Sequence, residues 1–158
     1  MSDPSATARR PPAAALLLGY GGVLPPVIAI LVRLAEGGGR ATPLSGMLLL
    51  GALIYAGLIL SFLGGVWWGV AAARLPAGRL GPWLTTAVMP SLIALPAIVA
   101  AGFAPRTGAA LLGVALVATL LGDRRLAQAG LVPGWWMALR VPLSCALAAA
   151  TMMVGMLV

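Results

Sequence analysis

The sequence predicts an all-α integral membrane bundle of five transmembrane helices, and three observations carry that expectation. The first is composition. The 158-residue chain is 61% hydrophobic and 8% charged, whereas an ordinary soluble domain is roughly 45–50% apolar and about 25% charged. That leaves too little polar surface to coat a globule of this size in water. The second is that the apolar residues gather in five runs of about the 20 residues a helix needs to cross hydrocarbon. The third is where the charge lies. All ten basic residues are arginine, and the three acids are Asp3, Glu36 and Asp123. The arginines stand singly or in pairs between the runs, as orienting loop charges do. This spacing argues against nucleic acid as a partner despite a net charge of +7.

Residues 1–12 read as a short polar tail and 13–158 as a single membrane domain. The first span, about 13–33, is closed by Arg33. Pro25-Pro26 interrupts it and deprives the carbonyls of Gly21 and Gly22 of their helical partners. The second, about 46–73, lies in the run Leu44 to Ala73, which is longer than a crossing requires, so it tilts or starts late. The third, about 83–103, opens at Trp83. Pro90 and Pro96 interrupt it and free the carbonyls of Thr86 and Leu92, with Thr85, Thr86 and Ser91 close enough to serve the freed groups. The fourth, about 107–125, is short in apolar residues and can continue past Arg125 with its arginines snorkelling to the interface. The fifth, about 138–158, runs to the last residue. The linkers Glu36 to Arg40, Leu75 to Arg79 and Ala127 to Trp135 are rich in Gly and Pro and read as turns. No internal repeat is visible.

Orientation follows from the arginines on alternate sides. Arg9, Arg10, Arg74, Arg79, Arg124, Arg125 and Arg140 share one side; Arg33, Arg40 and Arg106 share the other. The expected topology has the N-terminus cytoplasmic and the C-terminus periplasmic. Arg9-Arg10 before an apolar run resembles a signal peptide, but no small-x-small cleavage site follows it, so an uncleaved span is expected.

Within the spans, Gly57, Ser61, Gly65, Gly69 and Ala73 recur at every fourth position and place small residues on one helix face, with a GxxxG at Gly65 to Gly69. Such a face lets two backbones approach in lipid. It serves packing inside the chain, or docking onto a second copy or another membrane protein. The expected effect is graded: Gly65→Leu should disrupt the packing far more than Val66→Leu. Trp67 and Trp68, with Trp83, Trp135 and Trp136, fall on one predicted side. They form an aromatic belt, or Trp67, Trp68, Trp135 and Trp136 frame an interfacial cleft for a lipid headgroup, quinone or partner helix. Asp123 and Arg140 sit close enough on that side to form an ion pair. Asp123 equally has Arg74, Arg79, Arg124 and Arg125 within reach, and a proton-handling role is the alternative to a structural one. Rescue on exchanging the charges of Asp123 and Arg140 would mark a structural pair.

Absences narrow the chemistry further. With no histidine there is no imidazole-ligated haem and no His base. With one cysteine, Cys145, there is no thiolate cluster and no intrachain disulfide. No nucleophile has a recognisable base beside it. Ser144-Cys145 reads as small packing residues, and the seven methionines as lipid-facing or packing residues rather than a soft-metal path. No cofactor, metal or catalytic residue is expected.

One block is more specific. Tyr55 to Gly69, Tyr-Ala-Gly-Leu-Ile-Leu-Ser-Phe-Leu-Gly-Gly-Val-Trp-Trp-Gly, resembles a block of the DUF3429 family, uncharacterised membrane proteins that include mitochondrial transmembrane protein 69. Leu18 to Pro25, Met89 to Leu92 and Val132 to Arg140 resemble it too, with Trp136 where the family usually has tyrosine. The resemblance implies a small multi-span protein of bacterial inner membranes and mitochondria and assigns no activity. The expectation is a non-enzymatic accessory or assembly factor of the inner membrane, acting through helix–helix contacts. Its partners would be membrane lipids and another integral membrane protein or itself. The alternative is a small transporter or a lipid- or quinone-binding protein built on the broken first and third spans.

Overall fold

The computed structural model describes residues 10–37, 39 and 41–158; Asp3, Arg9 and Arg40 lie outside them. Among the described residues, six helices build five spans: α1 (Ala13–Gly21), α2 (Leu24–Ala35), α3 (Pro43–Arg74), α4 (Ala77–Phe103), α5 (Pro105–Gln128) and α6 (Trp136–Leu157). The pair α1 and α2 forms one span, and each of the others is long and apolar enough to cross a membrane by itself. The five-span bundle expected from the sequence is the observed fold.

The first span breaks where its prolines dictate. Helix α1 ends at Gly21, and α2 begins at Leu24 with Pro25 and Pro26 in its first turn, where their missing N–H groups cost nothing. The carbonyl of Gly22, deprived of its donor by Pro26, accepts instead from the Tyr55 hydroxyl at 2.9 Å. The third span corrects the sequence reading. Helix α4 is continuous through Pro82, Pro90 and Pro96, so only the first span is discontinuous. The nearby hydroxyls do not serve the freed carbonyls either. Thr85 and Thr86 donate to Gly81 and Pro82, and Ser91 pairs with Ser61 across the α3–α4 contact at 2.8 Å. Pro90 is buried against Gly64 of α3, where neighbouring packing holds the helix together, while Pro82 and Pro96 face outward.

Helix α3 uses the whole apolar run rather than starting late. Thr42 caps it, accepting from the Ser45 backbone N–H at 3.3 Å. Glu36 reaches over from the first loop and accepts from the hydroxyls of Thr42 and Ser45. These bonds, foremost that from Thr42, hold the Glu36 carboxyl below its usual 4.5. Helix α5 continues past Arg125 to Gln128. It ends in a left-handed turn at Gly130 (φ +68°), with Leu131 N–H bonding back to the Leu126 carbonyl at 3.0 Å.

Helix α3 is the hub and touches α2, α4, α5 and α6. The core along it is leucine and alanine, with Leu49, Leu53, Leu60, Leu112 and Leu116 essentially inaccessible. Alanine and glycine let the helices close up: a Cβ on Gly108 would overlap the Ala101 backbone, and one on Gly155 would overlap Ala109.

Candidate functional site

The most polar place inside the bundle is Asp123, which is completely buried. It sits near the end of α5, where the short turn after Gln128 folds the first turns of α6 back alongside it. That return brings Arg140 to the carboxylate, its Nε donating to Oδ2 at 2.8 Å. Two indoles complete the shell. Trp67 on α3 donates from Nε1 to Oδ1 at 3.0 Å, and Trp136 at the head of α6 donates to the same oxygen at 3.2 Å. Trp135 leans on Trp136 with ring centroids 6.1 Å apart and planes at 42°. The Trp67 ring reaches Asp123 only because residue 122 is glycine; a Cβ there would overlap the indole.

A carboxylate out of water needs donors for its lone pairs and a charge to oppose its own. Here three N–H groups from α3 and α6 provide both, so one side chain ties three spans together at one level. The arrangement leaves the carboxylate little capacity for other chemistry. Among the described residues no three His, Cys, Asp or Glu side chains group as metal ligands.

The expected ion pair of Asp123 with Arg140 is therefore present. The expected tryptophan cleft is not. Trp67 is buried and turned to Asp123, Trp68 is exposed elsewhere on α3, and Trp135 and Trp136 lean on each other at the head of α6. Two of the four are hydrogen-bond donors to a carboxylate rather than walls of a shared crevice. Trp83 packs with Trp67, Ala87 and Leu126. The small-residue face also divides. Gly57 packs under Ile98, and Ser61 bonds Ser91. A Cβ on Gly65 or Gly69 would meet nothing within 4 Å. The glycine that admits α4 is Gly64, whose Cβ would overlap the Ala87 carbonyl oxygen. The four-residue period selects Gly65 because a 4-4-4 spacing drifts around a 3.6-residue helix, whereas Gly57 and Gly64, seven apart, stay on one face. Sequence reasoning also missed the indole–carboxylate bonds. Trp67 and Trp136 are far apart in the chain, and only the register of three helices joins them.

The family model described as "Protein of unknown function (DUF3429)" matches residues 11–157. The chain belongs to the DUF3429 family. The match takes in all five spans, so this DUF3429 protein is a multi-pass membrane protein throughout its described length. The comparison with curated proteins finds no match, and neither does the comparison with solved structures.

Proposed function

We propose that this DUF3429 protein is a non-enzymatic accessory or assembly factor of the bacterial inner membrane, acting through helix–helix contact with another integral membrane protein or a second copy of itself. The observation that supports this reading is the outward half of the small-residue face on α3. Gly65 and Gly69 sit one turn apart with open space before them, beside exposed Phe62. In lipid, close backbone approach at small residues is a main source of helix association. The non-enzymatic reading draws on the two described carboxylates. Glu36 is engaged by Thr42 and Ser45, and Asp123 by three N–H donors, so neither is poised as a base.

The test is purification from native membranes in a mild maltoside, followed by mass spectrometry of the intact assembly. A stoichiometric partner, or a homo-oligomer, is expected in the unaltered chain and is lost in Gly65→Leu and Gly69→Leu while the melting temperature of the chain itself stays the same. A lone monomer, or an assembly indifferent to both substitutions, would reject the proposal.

A further inference from the structure

Two buried polar groups on α6 lack a partner among the described residues. Ser45, Thr119, Ser144 and Thr151 are fully buried hydroxyl residues. Ser45 bonds Glu36, while Thr119 and Thr151 turn back onto the Leu116 and Leu147 carbonyls of their own helices. The Ser144 Oγ does neither and is unpaired at 3% residue exposure. One turn earlier, Arg140 spends its Nε on Asp123, and its Nη2 is buried without an acceptor. Spacing of four residues puts the two side chains on one helix face.

Both residues line a single cavity of about 200 Å³. Its other walls come from the broken first span (Leu18, Gly22), from α3 (Tyr55, Leu63) and from Leu116 of α5. Phe62, 64% exposed, stands at its edge, so the cavity opens toward the lipid rather than toward a loop. In hydrocarbon no bulk water pairs an orphaned donor, and a buried unpaired N–H or O–H is costly. A guanidinium has donors only, so the missing group is an acceptor. Its charge follows from the site just described. Asp123 already balances Arg140, and a second anion in this low-dielectric pocket would stand uncompensated.

We propose that this crevice binds an uncharged, carbonyl-bearing amphiphile from the lipid phase. The carbonyl oxygen accepts from Arg140 Nη2 and Ser144 Oγ, and the apolar body lies against the leucines. Sites that enclose whole drug-sized ligands run to about 300–1,000 Å³, so the smaller volume here holds a head group and leaves the tail in the bilayer. A quinone ring and the acyl ester of a neutral glycerolipid share this chemistry. The cavity does not include Gly65 or Gly69 and borders the docking face only at Phe62, and the substitutions that test the two differ, so either test can fail with the other intact.

The experiment uses the full chain in a maltoside detergent, which carries no carbonyl, with equilibrium binding of three radiolabelled probes: decylbenzoquinone, dioctanoylglycerol and decanoate. Saturable binding of one neutral probe per chain is expected. Binding of the quinone alone assigns the head group to a quinone, of the diglyceride alone to a glycerolipid, and of both to the shared carbonyl. Ser144→Ala should weaken binding about three- to tenfold, and Ile59→Phe, which enlarges another side chain lining the cavity, at least about tenfold, while thermal melting of ligand-free Ser144→Ala stays level or rises because an unpaired hydroxyl is removed. If Ile59→Phe does not fold, Ser144→Ala decides alone. Failure of both neutral probes to bind, tighter binding of decanoate, or affinity unmoved by Ser144→Ala would overturn the proposal.

Discussion

Asp123 takes its meaning from the three donors around it. Breaking a buried ion pair by removing one partner costs about 3–5 kcal/mol because the other charge is stranded. Asp123→Asn should therefore destabilise the bundle by that order in a denaturant titration in detergent. The indoles sharpen the test. Exchanging the charges, Asp123→Arg with Arg140→Asp, restores an ion pair but leaves Trp67 and Trp136 donating toward a guanidinium that has no acceptor. The exchange should thus fail to restore stability, although the pair is structural, and adding Trp67→Phe to it should recover part of the loss. A full rescue by the exchange alone would show that the indole bonds contribute nothing. Glu36 provides the matching case outside the membrane. Its carboxyl is held low chiefly by the Thr42 hydroxyl, and then by Ser45. A lowered native pKa gives stability that is present above the usual 4.5 and is lost as pH falls through the lowered value. Melting curves between about pH 3 and 6 should show that acid limb, and Glu36→Gln should flatten it.

At the scale of the element, α3 separates two kinds of glycine that look alike in the sequence. Gly64 faces the Ala87 carbonyl, and overpacking a tight contact costs about 1–3 kcal/mol. Gly64→Ala should lower the midpoint of unfolding accordingly. Gly65→Ala places its methyl in open space and removes a helix-interior glycine, so the midpoint should stay level or rise. Equal losses from both would contradict the observed register of α3 on α4. The expectation that Gly65→Leu disrupts packing far more than Val66→Leu is corrected in the same way for contacts inside the chain, because Gly65 faces open space. Prolines show a similar division. In the first span Pro25 and Pro26 end one helix and start the next, while in the third Pro90 sits inside an unbroken helix against Gly64. Identical residues act differently because a buried neighbour holds one helix together and a turn relieves the other.

For the whole molecule, five crossings put the two termini on opposite faces. Counting arginines predicts the N-terminus in the cytoplasm, so a periplasm-active reporter fused after Val158 should be active and the same reporter fused ahead of Ala13 should be silent; the reverse pattern would invert the topology. The number of the spans and their approximate placement were legible because each depends on local facts: runs of about 20 apolar residues, prolines, glycine turns, and arginines between the runs. The third was placed too late, since its helix already begins at Ala77, inside the expected turn. The Asp123–Arg140 pair was legible too, since a short turn joins the two helices that carry it. What the sequence alone left open are contacts between distant segments, set by how far each helix rotates about its own axis. That rotation chose Gly64 over Gly65 and turned Trp67 toward Asp123 and Trp68 away. It also gathered Arg140, Ser144 and Tyr55 around one cavity. In a chain apolar on nearly every face, no hydrophobic stripe in the sequence records which face turns inward. Close packing and the pairing of a few buried polar atoms decide it, and both exist only once the helices are assembled.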